Sequence, residues 1–202
     1  MDAGAWDERY AATDLVWSTA PNTFVATECA DLPPGRAVDL AAGEGRNAIW
    51  LHDRGWDTTA VDFSEAGLEK GRRLAGDRSI TWVHADVLEW QPDGTFDLAV
   101  IAYLHLPPAQ RRAACRRAFA ALRSGGTFLL VAHDTTNLTE GVGGPQDARV
   151  LMSAEDVLAD LEGETFTVVH AGRVARQVTA AEAHRAEPSR TAYDCLVRLV
   201  RT

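Results

Sequence analysis

The sequence predicts an α/β fold: a doubly wound, mostly parallel sheet of seven strands, helices on both faces and an antiparallel last strand. Three observations predict it. Strand-like and helix-like segments alternate from about residue 36 onward, the pattern of parallel strands joined by crossover helices. The runs LAVIAYL and TFLLVA are apolar throughout instead of alternating, as strands buried on both faces are. The connections are also unequal. Tight turns such as Gly55-Trp56-Asp57 and Ser124–Gly126 enter strands, whereas the segments leaving them (Ala42–Asn47, Asp86–Trp90, His105–Pro108, Asp134–Val150) are longer and chemically richer. Ligands of open α/β sheets bind outside the carboxyl ends of the strands, so that edge is the expected site.

Each element follows in order. Arg36–Ala41 is an apolar strand closed by a glycine turn. A helix runs from about Arg46 to Arg54, with Gly55 at its C-cap. Thr58–Phe63 is the second strand, and Ser64 caps a helix to Leu74 that Gly76 stops. Ile80–Ala85 and Phe96–Tyr103 are the third and fourth strands. Pro107 and Pro108 open a helix through Leu122, closed by Ser124-Gly125-Gly126. Thr127–His133 is the fifth strand, and Ser153 caps a helix to about Leu161. Phe166–Val178 and Thr191–Val200 are the last two strands. The polar stretch between them lacks a helical pattern and is marginal for a right-handed crossover, hence the antiparallel last strand.

A chain of 202 residues, 46% hydrophobic and 24% charged, suits one domain, with residues 1–35 as an N-terminal flap and 36–202 as the core. Acidic residues outnumber basic ones 29 to 20, which argues against a broad phosphate-binding surface and hence against nucleic acid as main partner. The widely spaced Cys29, Cys115 and Cys195 indicate neither a disulfide framework nor a zinc site, and the six histidines have no metal-ligand spacing. The acidic start, MDAGAWDERY, is unlike a signal peptide, and no apolar run is long enough for a membrane span, so a cytoplasmic protein is expected, a monomer or weak homodimer.

The most informative stretch is Asp39–Ala48, where a strand enters a glycine turn that opens a helix. Glycine allows close approach of a ligand to the backbone, and the helix start supplies free N–H groups. A nucleotide cofactor fits there. Gly43-x-Gly45-x-x-Ala48 formally matches the dinucleotide fingerprint. Against that reading, Asp39 and Glu44 would repel a pyrophosphate, and no length remains for a second domain.

The stretch AVDLAAGEGRNAIWL followed by TAVDFSE resembles the opening of a class I S-adenosylmethionine-dependent methyltransferase, of the small bacterial type related to the tellurite-resistance and thiopurine methyltransferases. That resemblance implies a Rossmann-like fold, S-adenosylmethionine as cofactor and S-adenosylhomocysteine as product. It places Asp39 under the methionine amino group and the Gly43 and Gly45 backbones beneath ribose and methionine. Arg46 and Asn47 would support the methionine carboxylate or the turn. Asp62 would accept from both ribose hydroxyls, and Phe63 would lie against adenine. Asp86 would accept from the adenine amine with Val87 beside the ring, and Ala102 and Tyr103 would line the methyl side. Ala41 stands where that family usually has a glycine, tolerable if its φ is negative.

Methyl transfer needs alignment first and a base only for a protonated acceptor of high pKa. His105 and His133, each just past a strand end, are the candidate bases; His184 precedes the last strand on the same edge, and His52, His84 and His170 are read as structural. The aromatic-rich residues 1–35 (Trp6, Tyr10, Trp17, Phe24) and the glycine-rich loop 134–150, read as a mobile lid, would enclose the acceptor. With no separate substrate domain, the acceptor is expected to be a small molecule. The arginines around Arg111–Arg123 are expected on a solvated helix face. A catalytically silent S-adenosylmethionine-binding protein on the same fold is the alternative.

Overall fold

The computed structural model describes residues 3–178 and 190–202; His184 lies outside the described residues. Two helices, α1 (Ala3–Ala11) and α2 (Thr23–Cys29), precede β1 (Arg36–Leu40) and α3 (Arg46–Asp53). Then come β2 (Asp57–Asp62), α4 (Glu65–Ala75), β3 (Thr81–His84), β4 (Phe96–Ala102), α5 (Pro108–Ala120) and β5 (Leu122–His133). The chain continues with α6 (Asn137–Glu140), a 3₁₀ turn at Ala148–Val150, α7 (Ala154–Asp160), β6 (Phe166–Val178) and β7 (Arg190–Arg201). The strands form one sheet of order β3-β2-β1-β4-β5-β7-β6, with β1 to β5 parallel and β7 antiparallel to both neighbours. This is the Rossmann-like arrangement expected from the alternation.

Successive residues of the central strands enter opposite cores. Val38, Leu40, Ala99 and Ile101 pack with Phe119, Phe128 and Leu161 on one face, while Ala37, Leu98 and Val100 pack with Val25, Leu51 and Trp56 on the other. Two buried faces explain why these strands read as continuous apolar runs. Strand order reverses between β1 and β4, so a crevice opens at their carboxyl ends.

Three expectations need correction. First, α5 ends at Ala120, and β5 begins at Leu122, not Thr127. Leu122 pairs with Phe96, the register shifts before Leu98, and Gly125 takes φ +78°. Ser124-Gly125-Gly126 is therefore an irregularity inside a strand, not a helix stop. Second, Arg111 of α5 is not on the solvated face, although Arg112 and Arg116 are exposed as expected. Arg111 is buried with Nε 2.7 Å from Asp160 Oδ2; Arg112 Nε lies 3.2 Å from Oδ1, and Arg116 Nε donates to the Asp160 carbonyl. They clasp the end of α7. Third, the first part of the 134–150 segment is bonded to β7 and to itself. Asp134 N donates to Tyr193 O, and the Asn137 side chain accepts from Tyr193 N and donates to Gly143 O.

Candidate active site

The glycine turn follows β1, whose last residues are buried. Gly43 and Gly45 hold φ +55° and +73°, and Gly45 is the N-cap of α3. A Cβ at Gly43 would lie 2.3 Å from the Tyr10 hydroxyl, and one at Gly45 would lie 2.4 Å from the Trp82 ring. Both positions therefore require glycine, for dihedral and for space. Ala41 takes φ +60°, so the condition under which an alanine was tolerable is not met. Among the described residues only Ala41 and Tyr103 (φ +58°) are non-glycine positions in this region. They follow β1 and β4, the two strands that flank the crevice, where backbone strain is characteristic of function. Ala41→Gly is expected to raise the unfolding free energy by about 1 kcal/mol, the left-handed penalty less the added freedom of the unfolded chain. Urea denaturation reads this directly, and a destabilised variant would contradict it.

Two carboxylates frame the turn. Asp62, at the end of β2, accepts from Gly43 N through Oδ2 and from Ser64 N through Oδ1, both at 2.8 Å. Burial holds its carboxyl above the ordinary carboxylate range despite those N–H bonds. Each oxygen keeps further acceptor capacity for a ligand hydroxyl. Asp39 differs: it is fully buried, and neither oxygen makes a well-formed hydrogen bond although the Ala48 N–H and the Asn47 amide lie beside it. Burial pushes it up to about 7, against the pull of the Arg46 charge, the Ala48 N–H and the Asn47 amide. A buried carboxylate so weakly partnered is costly, and a cationic ligand group would relieve it.

The N-terminal segment straps across this turn. Glu44, counted from sequence as a charge that repels phosphate, is buried; it accepts from Val16 N and Trp17 N and lies 3.5 Å from Lys70 Nζ. Asp7 of α1 accepts from the Ser64 hydroxyl and Ala66 N, at the start of α4. Arg46 sits over the Trp17 ring at 5.7 Å, and Asn47 Oδ1 accepts from Asn22 N, so both also hold the strap. Sequence reasoning missed Asp7 and read Glu44 only as a charge in the turn, not as an anchor of the strap.

The remaining positions divide. Phe63 is half-buried beside Asp62, and its carbonyl accepts from His84 Nε2. Asp86 is exposed, with Oδ1 accepting from Leu88 N. Val87 packs in the core with Trp90, which leaves it little surface for a ligand ring. His84 is not packed in a strand interior; it ends β3, exposed, 3.3 Å from Glu65.

Across the crevice, Ala102 and Tyr103 lead into a cluster at the ends of β4, β5 and β6 and the start of β7. The Tyr103 hydroxyl donates to Asp194 Oδ2, as does Arg176 Nε, both at 2.9 Å. His133 Nδ1 lies 3.1 Å from Asp194 Oδ1. The His133 ring stacks on His105 at 5.3 Å and meets the Tyr103 ring at 5.0 Å. Burial, with His133 beside it, lowers His105 to about 4, and His105 Nε2 accepts from His133 N at 3.4 Å. His105 is thus engaged by the backbone at the end of β5. Asp194 and Arg176 were missed, although an acid within the apolar stretch Ala192–Val197 is the same signal that singled out Asp39.

Residues 37–126 match the model of a methyltransferase domain family. A demethylmenaquinone methyltransferase of Clavibacter sepedonicus is 33% identical over 124 residues, 60% of this chain and 49% of that protein, so the chain spans about half the length of the curated relative it matches. The N-methyltransferase NodS of Bradyrhizobium japonicum, solved with S-adenosyl-L-homocysteine, superposes with TM-score 0.72 at 19% identity, covering 98% of this chain and 97% of that one. TehB of Haemophilus influenzae gives TM-score 0.73 at 15% identity, covering 99% and 67%. At these identities the structures establish the fold. Among the described residues no helix is long and apolar enough to cross a membrane, and no cluster of His, Cys, Asp or Glu is arranged for a metal ion.

Proposed function

We propose that the chain binds S-adenosylmethionine at the glycine turn and transfers its methyl group to a small-molecule acceptor. One observation carries this reading: Asp39, fully buried without a well-formed hydrogen bond, leads into a turn whose two glycines admit no side chain, next to Asp62 at the neighbouring strand end. A sulfonium methyl is electrophilic in itself, so the protein supplies binding, alignment and exclusion of water. Asp39 takes the amino group, and the Gly43 and Gly45 backbones run beneath ribose and methionine. Arg46 and Asn47 face the carboxylate, Asp62 the ribose hydroxyls, Phe63 and Asp86 the adenine. Ala102 and Tyr103 line the methyl side. The buried acid at Asp39 disfavours a pyrophosphate and hence a nicotinamide cofactor.

The methyltransferase family match and the demethylmenaquinone methyltransferase relative support transfer over silent binding. Kinship with the tellurite-resistance type in particular rests on the D-x-A-x-G-x-G-R-N-A stretch and the TehB superposition. Turnover separates an enzyme from a silent binder. The protein, S-adenosylmethionine and a panel of thiols, phenols, amines and metalloid oxyanions are assayed for acceptor-dependent S-adenosylhomocysteine. Acceptor-dependent release by the wild type is expected. Tight cofactor binding with no release across the panel would favour the silent protein.

A further inference from the structure

The glycine turn is covered in this structure. Gly43 and Gly45 are buried, Asp39 is fully buried and Asp62 is only 4% exposed. The N-terminal segment covers them. The Tyr10 ring of α1 lies against α4, where a Cβ on Gly67 would be 3.1 Å from its Cε2. Its hydroxyl reaches over Gly43, and the Trp17 Nε1 comes within 3.9 Å of the place a Gly43 Cβ would take. The hydroxyl is close enough to feel the Asp62 charge, and burial pushes the phenol up, so it stays neutral. Trp6 packs on the Tyr10 ring at 5.5 Å, and Arg9 lies over both Trp6 and Trp17.

Polar contacts fasten the segment on either side of Tyr10. Before it, Asp7 accepts from the Ser64 hydroxyl and Ala66 N. After it, Lys70 Nζ donates to the Thr13 carbonyl, and Glu44 accepts from Val16 N and Trp17 N. Among the described side chains of α1 only Tyr10 is buried. A helix held by one buried side chain and exposed polar contacts belongs to the part of a fold that opens locally at low cost. Asn22, whose N donates to Asn47 Oδ1 and whose side chain caps α2, ties the far end of the segment to α3 and is a natural pivot.

We propose that the N-terminal segment is an autoinhibitory plug: Tyr10 fills the space over the glycine turn that the cofactor needs, and α1 lifts to admit it. The proposal rests on the reading of that turn as the S-adenosylmethionine site. A ribose hydroxyl cannot reach Asp62 past Tyr10, and Asp39 has no room beside it for an ammonium group while the segment is closed. Only the open form binds, so apparent affinity is the intrinsic affinity reduced by the fraction open. Loosening the plug therefore tightens binding. Removing a residue that contacts the cofactor weakens it, and the two roles differ in sign.

Tyr10→Ala and Asp7→Ala are compared with the wild type by calorimetry and by stopped-flow tryptophan fluorescence with S-adenosylhomocysteine. Tyr10→Ala removes the plug, and Asp7→Ala removes one of its fastenings. The wild-type binding rate is expected to level off at high ligand concentration, at the rate of opening. Asp7→Ala is expected to raise that plateau and tighten binding by about 10-fold, the scale of hydrogen bonds to a charged group, and Tyr10→Ala by at least as much. In the wild type, hydrogen exchange of the α1 amides should become faster when S-adenosylhomocysteine binds. Weaker binding by both variants, or α1 amides protected by the ligand, would make the segment a lid on the bound cofactor and overturn the plug. No binding by the wild type or by Tyr10→Ala would instead overturn the reading of the turn beneath it.

Discussion

Asp39→Asn is expected to yield a protein more stable than the wild type at pH 8 that binds S-adenosylhomocysteine more weakly. Burial raises the Asp39 carboxyl from its ordinary 3.8 to about 7. The unfolded chain ionises from about pH 4, whereas the folded chain holds its proton to about pH 7. The folded state therefore loses stability as pH rises through that window and no further above it. A difference of this size corresponds to at most about 4 kcal/mol, and an amide, which does not titrate, escapes it. The gain should be largest at pH 8 and vanish near pH 4, read by urea denaturation across that range. Binding moves the other way. A ligand ammonium needs the carboxylate, and a charge-assisted hydrogen bond contributes roughly 1.5–3 kcal/mol, so affinity should fall by about 10- to 100-fold. Wild-type affinity should tighten from pH 6 to pH 8, with proton release on binding at the lower pH. A variant no more stable than wild type at pH 8, with unchanged affinity, would remove Asp39 from the site.

Asp62→Ala is expected to lose both the ligand and part of the fold. Its carboxylate accepts from Gly43 N and Ser64 N, which join the glycine turn to the start of α4. Truncation leaves two donors unpaired in a buried setting, at about 2–4 kcal/mol. The two backbone bonds show that the turn needs this side chain. Asp62→Asn keeps the volume but only one of the two accepting oxygens, so it should lose less stability than the alanine variant and still bind S-adenosylhomocysteine at least ~10-fold more weakly, because an amide replaces a charged acceptor. Thermal unfolding and calorimetry on the two variants separate these effects. An alanine variant with wild-type affinity would place the ribose elsewhere.

The sheet was legible because its signals are local. Continuous apolar runs mark strands buried on both faces, and Ser64, Gly76 and Ser153 mark helix ends. The β5 start was misread because Ser124-Gly125-Gly126 has the composition of a helix stop, and only its pairing with β4 shows a strand. The glycine turn and its acids were legible through spacing. The strap was not, since Glu44 and Asp7 act on partners far along the chain, Val16 and Trp17 for one, Ser64 and Ala66 for the other. Asp194 and Arg176 were missed for the same reason: β6 and β7 bring them to Tyr103 and His133 only through tertiary pairing. The sign of φ at Ala41 was likewise beyond composition, because it depends on the turn that Asp62 holds.

The central claim is that an acidic glycine turn, strapped by the N-terminal segment, holds S-adenosylmethionine and not a pyrophosphate dinucleotide. Titration calorimetry of the full chain with S-adenosylhomocysteine and, separately, with NAD tests it most directly. Saturable one-to-one binding of S-adenosylhomocysteine is expected, with no heat from NAD. Saturable NAD binding with none for S-adenosylhomocysteine would contradict it.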